Sequence, residues 1–305
     1  MKINLIFFIG IFSLNHGFSQ PIAHLPPEKI KILSWNIYML PAVVNIKGKV
    51  KRAQAIGKIL KNSDYDVIIF QEAFHRGARK KILSQLKQEF PYQAGPANRK
   101  LISYKTNSGL WIFSKHPIVS TKSIIFKNRS GVDAFSRKGG LIAEIMINNS
   151  LIQVAGTHLQ NSGHASVRLG QCGEFYNRLL VPFYKEGVPQ IICGDFNINK
   201  ERHEEYNFML RTLHATDGEL NGEVKYSYDR LHNDLKVEPG QSKDLIDYIL
   251  IGYQPNQLAS VSRQIKIIRQ NWDDAHHDLS DHYALEADIK FSNLMGLTSS
   301  AKTVK

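Results

Sequence analysis

Leu141-Ile142-Ala143-Glu144-Ile145-Met146-Ile147-Asn148-Asn149-Ser150-Leu151-Ile152-Gln153-Val154-Ala155-Gly156-Thr157-His158-Leu159 holds two apolar, β-branched runs around a short polar turn. Asn-Asn-Ser between such runs is a hairpin signal, because Asn tolerates the left-handed backbone that a tight turn between twisted strands requires. The expectation is a pair of antiparallel strands, Leu141 to Ile147 and Leu151 to Leu159. The second ends in Gly156-Thr157-His158, so polar side chains arrive where a buried strand stops. Downstream, Ser166 to Tyr184 has weak helical spacing, and Ile191-Ile192-Cys193-Gly194-Asp195-Phe196-Asn197 is another apolar run ending in an acid and an amide. Period-two alternation sends Asp195 and Asn197 to one side and Phe196 to the other.

The same pattern extends in both directions. Ile30 to Ile37, Val67 to Phe70, Leu110 to Phe113, Leu245 to Ile251 and Tyr283 to Ile289 read as strands. Val50, Ala53, Ile56 and Leu60 lie at helical spacing, as do Ile82, Leu83, Leu86 and Phe90. No internal repeat or Gly/Ser- or Pro-rich linker divides the chain, so residues 21–293 are read as one α/β domain. Its length is near the upper limit for a single core and suits two packed sheets better than a helical bundle. Residues 294–305 carry little pattern and are expected to form a flexible tail.

With 305 residues, 43% hydrophobic and 22% charged, the chain is neither disordered nor collagen-like, and its two cysteines exclude a disulfide-dense miniprotein. Lys2, the apolar run Ile3 to Leu14, and the small residues Gly17 and Ser19 read as a signal peptide over residues 1–20, cleaved near Ser19 or Gln20. Ser13, Asn15 and His16 interrupt that run before the roughly 20 apolar residues of a membrane anchor. The mature chain is therefore expected to be secreted or periplasmic. A formal charge of +12 favours anionic partners or surfaces without choosing between nucleic acid and membrane. Lys47, Lys49, Lys51, Arg52, Lys58 and Lys61 read as the solvated face of the first helix rather than a binding patch. Cys172 and Cys193 read as small core residues in preference to a disulfide, and paired-cysteine zinc spacings are absent.

The chemistry lies where polar residues interrupt or end apolar strands, since a buried strand tolerates them only when something compensates them. Six such places occur: Ser34-Trp35-Asn36, Gln71-Glu72, Thr157-His158, Asp195-Phe196-Asn197, Asp247 within Leu245-Ile246-Asp247-Tyr248-Ile249, and Ser280-Asp281-His282. Glu72, Asp195, Asp247 and Asp281 are hard oxygen ligands or orienters, Asn36 and Asn197 are amides, and His158 and His282 can handle protons. This set suits Mg²⁺, which takes few protein carboxylates and keeps water and substrate phosphate in its shell. A histidine poised near neutral pH can then deprotonate attacking water, which is the outline of phosphoester hydrolysis.

These stretches, with Gly109-Leu110-Trp111-Ile112-Phe113-Ser114-Lys115-His116-Pro117-Ile118, occur in an order that resembles the endonuclease/exonuclease/phosphatase superfamily, the DNase I-like fold. Ser130 to Gly139, Glu72-Ala73-Phe74, and Gly156 to Gln160 followed by Ala165-Ser166-Val167-Arg168 are similar to the bacterial neutral sphingomyelinases, the sphingomyelinase C branch. The resemblance implies a four-layer α/β sandwich of two packed β-sheets flanked by helices, with the site in a groove at one sheet end. It implies Glu72 as the direct Mg²⁺ ligand, with Asn36 close by and Asp281 assisting, and Mn²⁺ or Co²⁺ as substitutes. His282 resembles the general base, Asp247 its orienting partner, Asp195 and Asn197 the residues that position water and phosphate, and His158 the second histidine. Lys138 falls on the substrate-binding segment.

The implied reaction splits membrane sphingomyelin into ceramide and phosphocholine, carried out by a monomer in peripheral contact with the membrane. A metal-dependent nuclease on the same fold is the alternative. Three departures stand out: His75-Arg76-Gly77 after the Glu-x-Phe motif, a short loop Asn161-Ser162-Gly163-His164, and only Tyr253 and Trp272 as aromatics between Tyr253 and Asp278. Membrane attraction is then expected to rest on basic charge.

Overall fold

Two twisted β-sheets pack face to face, with helices on their outer faces, in the computed structural model, which describes residues 27–100, 105–161, 165–235, 240–252 and 258–292. The expected signal peptide and the tail 294–305 lie outside the described residues. In chain order come β1 (Lys29–Met39), α1 (Lys49–Lys61), β2 (Val67–Ala73), α2 (Arg76–Leu86), β3 (Tyr92–Ala94), β4 (Trp111–Ser114) and β5 (Ile118–Ile125). Then follow β6 (Gly139–Ile147), β7 (Ser150–His158) and α3 (Ala165–Phe175), which runs through one wide turn into α4 (Val181–Phe183). The remainder is β8 (Gln190–Asp195), α5 (His203–Leu213), the short β9 (Ala215–Thr216), β10 (Leu220–Asn221), β11 (Tyr228–Asp229) and β12 (Lys243–Asp244), then β13 (Asp247–Gly252), β14 (Leu258–Lys266) and β15 (Ala284–Phe291).

One sheet has the order β10-β14-β15-β1-β2-β4-β3 and the other β5-β6-β7-β8-β13-β9. This is the expected four-layer sandwich. The hairpin forms where the sequence signals it: Asn148 and Asn149 have φ of 47° and 66°, and Ile147 pairs with Ser150. Alternation then builds the layers. Ile30 and Ile32 of β1, Ile152 and Val154 of β7, Ile191 and Cys193 of β8, and Ile249 of β13 fill the space between the sheets. Their neighbours of opposite parity, such as Leu33 and Trp35, pack under α1 and α2, while Ile192 and Phe196 pack against the helices of the other face.

Cys193 belongs to the inter-sheet core and Cys172 to the outer layer beneath α3, so a sheet separates them, and both are free and buried. The disulfide alternative falls. The solvated-face reading of α1 needs correction at two positions. Lys49 donates to the carbonyls of Leu40, Pro41 and Val44, and Arg52 is wholly buried, donating to those of Ile37, Tyr38 and Leu279 at 3.3, 2.9 and 2.8 Å. A guanidinium supplies donors in a rigid fork, so one side chain ties the end of β1 to the segment before β15. Arg52→Ala is expected to lower unfolding free energy by about 3 kcal/mol, since it strands buried carbonyls and leaves a void; a denaturant midpoint unchanged from wild type would contradict this.

Besides the two-residue strands β9 to β12, four elements went unread in sequence: β3, β5, β14 and α5. The strand β5 exposes Val119, Thr121 and Lys122 to solvent at a sheet edge, and β14 interleaves Ser260, Ser262 and Gln264, so neither shows an apolar run. Helix α5 does carry apolar spacing at Tyr206, Met209 and Leu213.

Candidate active site

The rows of side chains that fill the core continue to the ends of the strands, and there they turn polar. Asn36 shares parity with Ile32, His158 with Val154, Asp195 with Cys193, and Asp247 with Ile249, so the alternation that buries the aliphatics brings these four to the open end of the inter-sheet space. The cleft there has a volume of about 680 Å³ and is lined by Glu72, Lys138, His158, Asp195, Asn197, Asp281 and His282, among others.

Two backbone features hold this end together. Gly194 has φ of +152°, and a Cβ on it would lie 2.0 Å from the carbonyl oxygen of Thr157, so β7 and β8 approach closely just before Asp195 only because the residue is glycine. Gly194→Ala is expected to cost more than about 3 kcal/mol of stability, read by thermal unfolding, since the clash is with backbone and cannot relax by a rotamer change. Ser280 donates from Oγ to the carbonyl of Asn36 at 2.6 Å and accepts from the amide of His282, linking β1 to the Asp281-His282 corner.

His282 Nδ1 lies 2.8 Å from Asp247 Oδ2, and its Nε2 lies 3.7 Å from Asp195 Oδ2. Burial by itself would lower the imidazole pKa, but the carboxylates of Asp247 and Asp195 outweigh it and hold His282 well above the ordinary histidine range. The ring packs against Tyr228, with centroids 4.9 Å apart, and the Asp247 amide donates to Ser227 Oγ at 3.2 Å. Asp195 also accepts from Asn36 Nδ2 at 3.0 Å and from the Asn197 amide at 2.9 Å. Asn197, at φ of 53°, donates from Nδ2 to the Leu159 carbonyl.

His158 is in the opposite electrostatic state. Burial, then the Lys138 ammonium, push its pKa down to about 3, so the ring is neutral. Lys138 Nζ sits 3.1 Å from His158 Nε2 and donates to Asp133 Oδ2 and the Leu159 carbonyl, both at 2.9 Å. The two histidines therefore differ by environment alone.

Glu72, next to last in β2, has a left-handed conformation, φ 57°, and its buried Oε2 has no hydrogen-bond partner. Burial and then the neighbouring Asp281 carboxylate raise its pKa to about 8, and burial raises that of Asp281 to about 6. Two carboxylates held together out of water, one with an unpaired oxygen, are the donor set that a hard divalent cation satisfies. Asn36 pairs with Gln71, the residue before Glu72, its carbonyl accepts from Ser280, the residue before Asp281, and its Oδ1 accepts from the Tyr38 amide at 3.1 Å. Asp195, Asp247 and His282 also bring ligand atoms within 4.8 Å of one another, but their short contact is the Asp247–His282 hydrogen bond, so they read as a proton-handling group. Asp234, His277 and Asp278 form a second such trio, occupied by hydrogen bonds among themselves and to Arg269.

All nine residues singled out in sequence thus meet at one end of the sandwich. Sequence reasoning missed Asp133, Ser227, Tyr228 and Tyr38 as parts of the site: Tyr38 lies near the end of β1, Tyr228 in the two-residue β11 with Ser227 just before it, and Asp133 in a single helical turn, none of them marked by an apolar run that breaks. The departure at His75 has a local cause: its Nδ1 accepts from the Ala78 amide and caps α2. Trp272 is packed rather than presented, donating to the Asp278 carbonyl, stacking on His276 and covering Gly48. Tyr253 and residues 162–164 lie outside the described residues.

The chain is 30% identical to a phospholipase C from Staphylococcus aureus, over 86% of this chain and 87% of that protein. It is 28% identical to a sphingomyelinase C from Bacillus cereus, over 85% of this chain and 88% of that one. A crystal structure of Staphylococcus aureus beta toxin superposes with a TM-score of 0.79 at 30% identity, covering 85% of this chain and 99% of the toxin. A substituted beta toxin with bound magnesium ions gives 0.77 at 28% identity, covering 85% and 99%. The expected resemblance to bacterial sphingomyelinases is borne out by these relatives. The sequence profile of the endonuclease/exonuclease/phosphatase family matches residues 33–282, a span that includes every site residue described above, and the chain belongs to that family.

Proposed function

We propose that this chain is a Mg²⁺-dependent phosphodiesterase that hydrolyses sphingomyelin to ceramide and phosphocholine. The observation that carries the reading is the buried, partnerless Glu72 oxygen under the electrostatic influence of Asp281, in a cleft that His282, paired with Asp247, also lines. The sphingomyelinase relatives supply the substrate class. Glu72 and Asp281 would hold Mg²⁺, with Asn36 alongside. When bound, the ion supplies positive charge to a phosphate oxygen and to the charge that develops on it.

The protein's own residues carry the remaining steps. His282 Nε2 takes the proton of the attacking water, while Asp247 fixes the ring through Nδ1 and stabilises the imidazolium that forms. The water oxygen attacks phosphorus as the bond to the ceramide oxygen breaks in line. Asp195 and Asn197 orient water and phosphate. Lys138, held by Asp133, sets a cation at the substrate, and it keeps His158 uncharged so that the ring can hydrogen-bond the phosphate or the leaving alkoxide. Residues 1–20 act as a signal peptide, delivering a monomer outside the cytoplasm that contacts membranes peripherally.

The deciding experiment incubates the chain without residues 1–20 with sphingomyelin vesicles, in Mg²⁺ and in EDTA, beside plasmid DNA. Phosphocholine release in Mg²⁺ alone, with intact DNA, is the expected result. Nicked DNA with untouched lipid would transfer the function to the nuclease alternative, which the basic charge favours.

A further inference from the structure

Exposed apolar side chains scattered singly on a surface need no explanation. Here four of the twelve most exposed large ones among the described residues, Val43, Val44, Val132 and Phe135, fall in two short segments. One is the loop between β1 and α1. The other is the single-turn helix Gly131–Phe135 between β5 and β6. Val44 and Val132 both line the cleft, so the two segments form parts of its rim. Val43 is 93% exposed, Val132 77% and Phe135 67%, values at which burial against the protein's own core is ruled out.

The surroundings of these residues are basic. Residues 40–48 contain Lys47 and no acid. In residues 127–138, Lys127 is exposed and Arg129 partly so, while Arg137 and Lys138 are buried and Asp133 is taken up by Lys138, which leaves the surface there cationic. Apolar tips beside long cationic side chains match the layering of a bilayer interface, where acyl chains lie below charged headgroups. The Val44 loop is anchored from beneath by Lys49, and the Val132 turn by the Asp133–Lys138 ion pair, so both present their tips from fixed bases.

We infer that Val43, Val44, Val132 and Phe135 form a two-sided docking rim that seats the cleft on a phospholipid bilayer. The inference rests on the proposed lipid phosphodiesterase and assigns its membrane contact to this edge. Trp272, one of the two aromatics between Tyr253 and Asp278, is half-buried, donating to the Asp278 carbonyl and covering Gly48. The Asp133–Lys138–His158 contacts run from this rim into the site, giving the docked rim a direct mechanical connection to the groups at the phosphate.

The test uses the double variant Val43→Ser/Phe135→Ser, two side chains that lie outside the cleft lining. Partition onto sphingomyelin/phosphatidylcholine vesicles is measured by flotation in EDTA, so that turnover plays no part. Hydrolysis of water-soluble p-nitrophenyl phosphocholine is measured in Mg²⁺. The expected result is vesicle partition weakened at least about tenfold, with the soluble substrate cleaved at the wild-type rate. Equal partition of the two proteins, or no wild-type partition, overturns the docking rim. So does parallel loss of both readouts, which would mean a folding role, and so does a wild-type dimer in sedimentation velocity that the variant breaks, which would make the rim a self-association surface. A wild-type protein that floats with vesicles but cleaves neither lipid nor the soluble ester refutes the proposed function and leaves the rim standing.

Discussion

His282→Ala is expected to lose turnover by about 10²–10⁴-fold, the range for removing a general base, while circular dichroism at 25 °C remains native. The imidazole sits between two acids, 2.8 Å from Asp247 and 3.7 Å from Asp195, and among the described residues no other side chain lining the cleft combines a raised basicity with that geometry. Truncation also leaves the Asp247 carboxylate buried without a cationic partner, so a lower melting temperature accompanies the kinetic loss. His282→Gln, whose amide can still donate toward Asp247, separates the two effects: stability recovers in part and turnover does not. An Ala variant within about tenfold of wild type would remove His282 from the base role. The pH profile gives a second reading. His282 must be neutral to take a proton, and the carboxylates of Asp247 and Asp195 outweigh burial and keep it protonated to higher pH. Asp247→Asn removes one of those charges, so the acid limb of kcat/KM moves to lower pH as the plateau falls.

Glu72→Gln is expected to abolish the Mg²⁺ response of turnover and to raise the stability of the metal-free protein. The sign follows from burial and the Asp281 carboxylate, which lift the Glu72 pKa to about 8 from the ordinary carboxylate value of 4.5. An unfolded chain ionises this group near 4.5, whereas the folded chain resists ionisation until about 8. Metal-free wild type therefore loses stability as pH rises through that window, and the neutral Gln does not. The melting temperature of Glu72→Gln should exceed that of wild type in EDTA at pH 8 and above, with the gap closing toward pH 4.5. Added Mg²⁺ should reverse the order, because a ligand that binds only the folded state stabilises wild type by mass action. Identical Mg²⁺ titrations of the two proteins would sink the ligand role.

The central strands and their polar ends were legible in sequence for one physical reason. Strands buried on both faces read as apolar runs, and an Asn, Glu, His or Asp at the end of such a run has no bland explanation in burial. Asn36, Asp195 and Asp247 were found this way, and strand parity delivers them to one cleft. The edges were not legible, because β5 and β14 face solvent or a two-residue neighbour and mix Ser, Gln and Lys into their pattern. Arg52 was misread for the opposite reason. A cation on an amphipathic helix reads as solvated, and the carbonyls that receive it come from Ile37, Tyr38 and Leu279, one of them 227 residues away in sequence. The left-handed backbone at Glu72 has no signature in a β-branched run, so its residue type was readable and its orientation was not.

Four of the chemical groups, Asn36, His158, Asp195 and Asp247, lie at or near the ends of strand rows whose other members are the inter-sheet core, and a one-residue slip in any of those strands would invert the whole row. Reaction chemistry in this scaffold is therefore inherited with foldability: a lineage cannot drift in the first without losing the second. The connections at the cleft mouth carry no such lien, since their lengths and side chains can change without disturbing any register. Diversification should accordingly concentrate in the segment after β1 and in the part of the segment after β5 that excludes Asp133 and Lys138, leaving the hydrolytic centre constant while the surface it is brought to, polymer, soluble ester or bilayer, is exchanged.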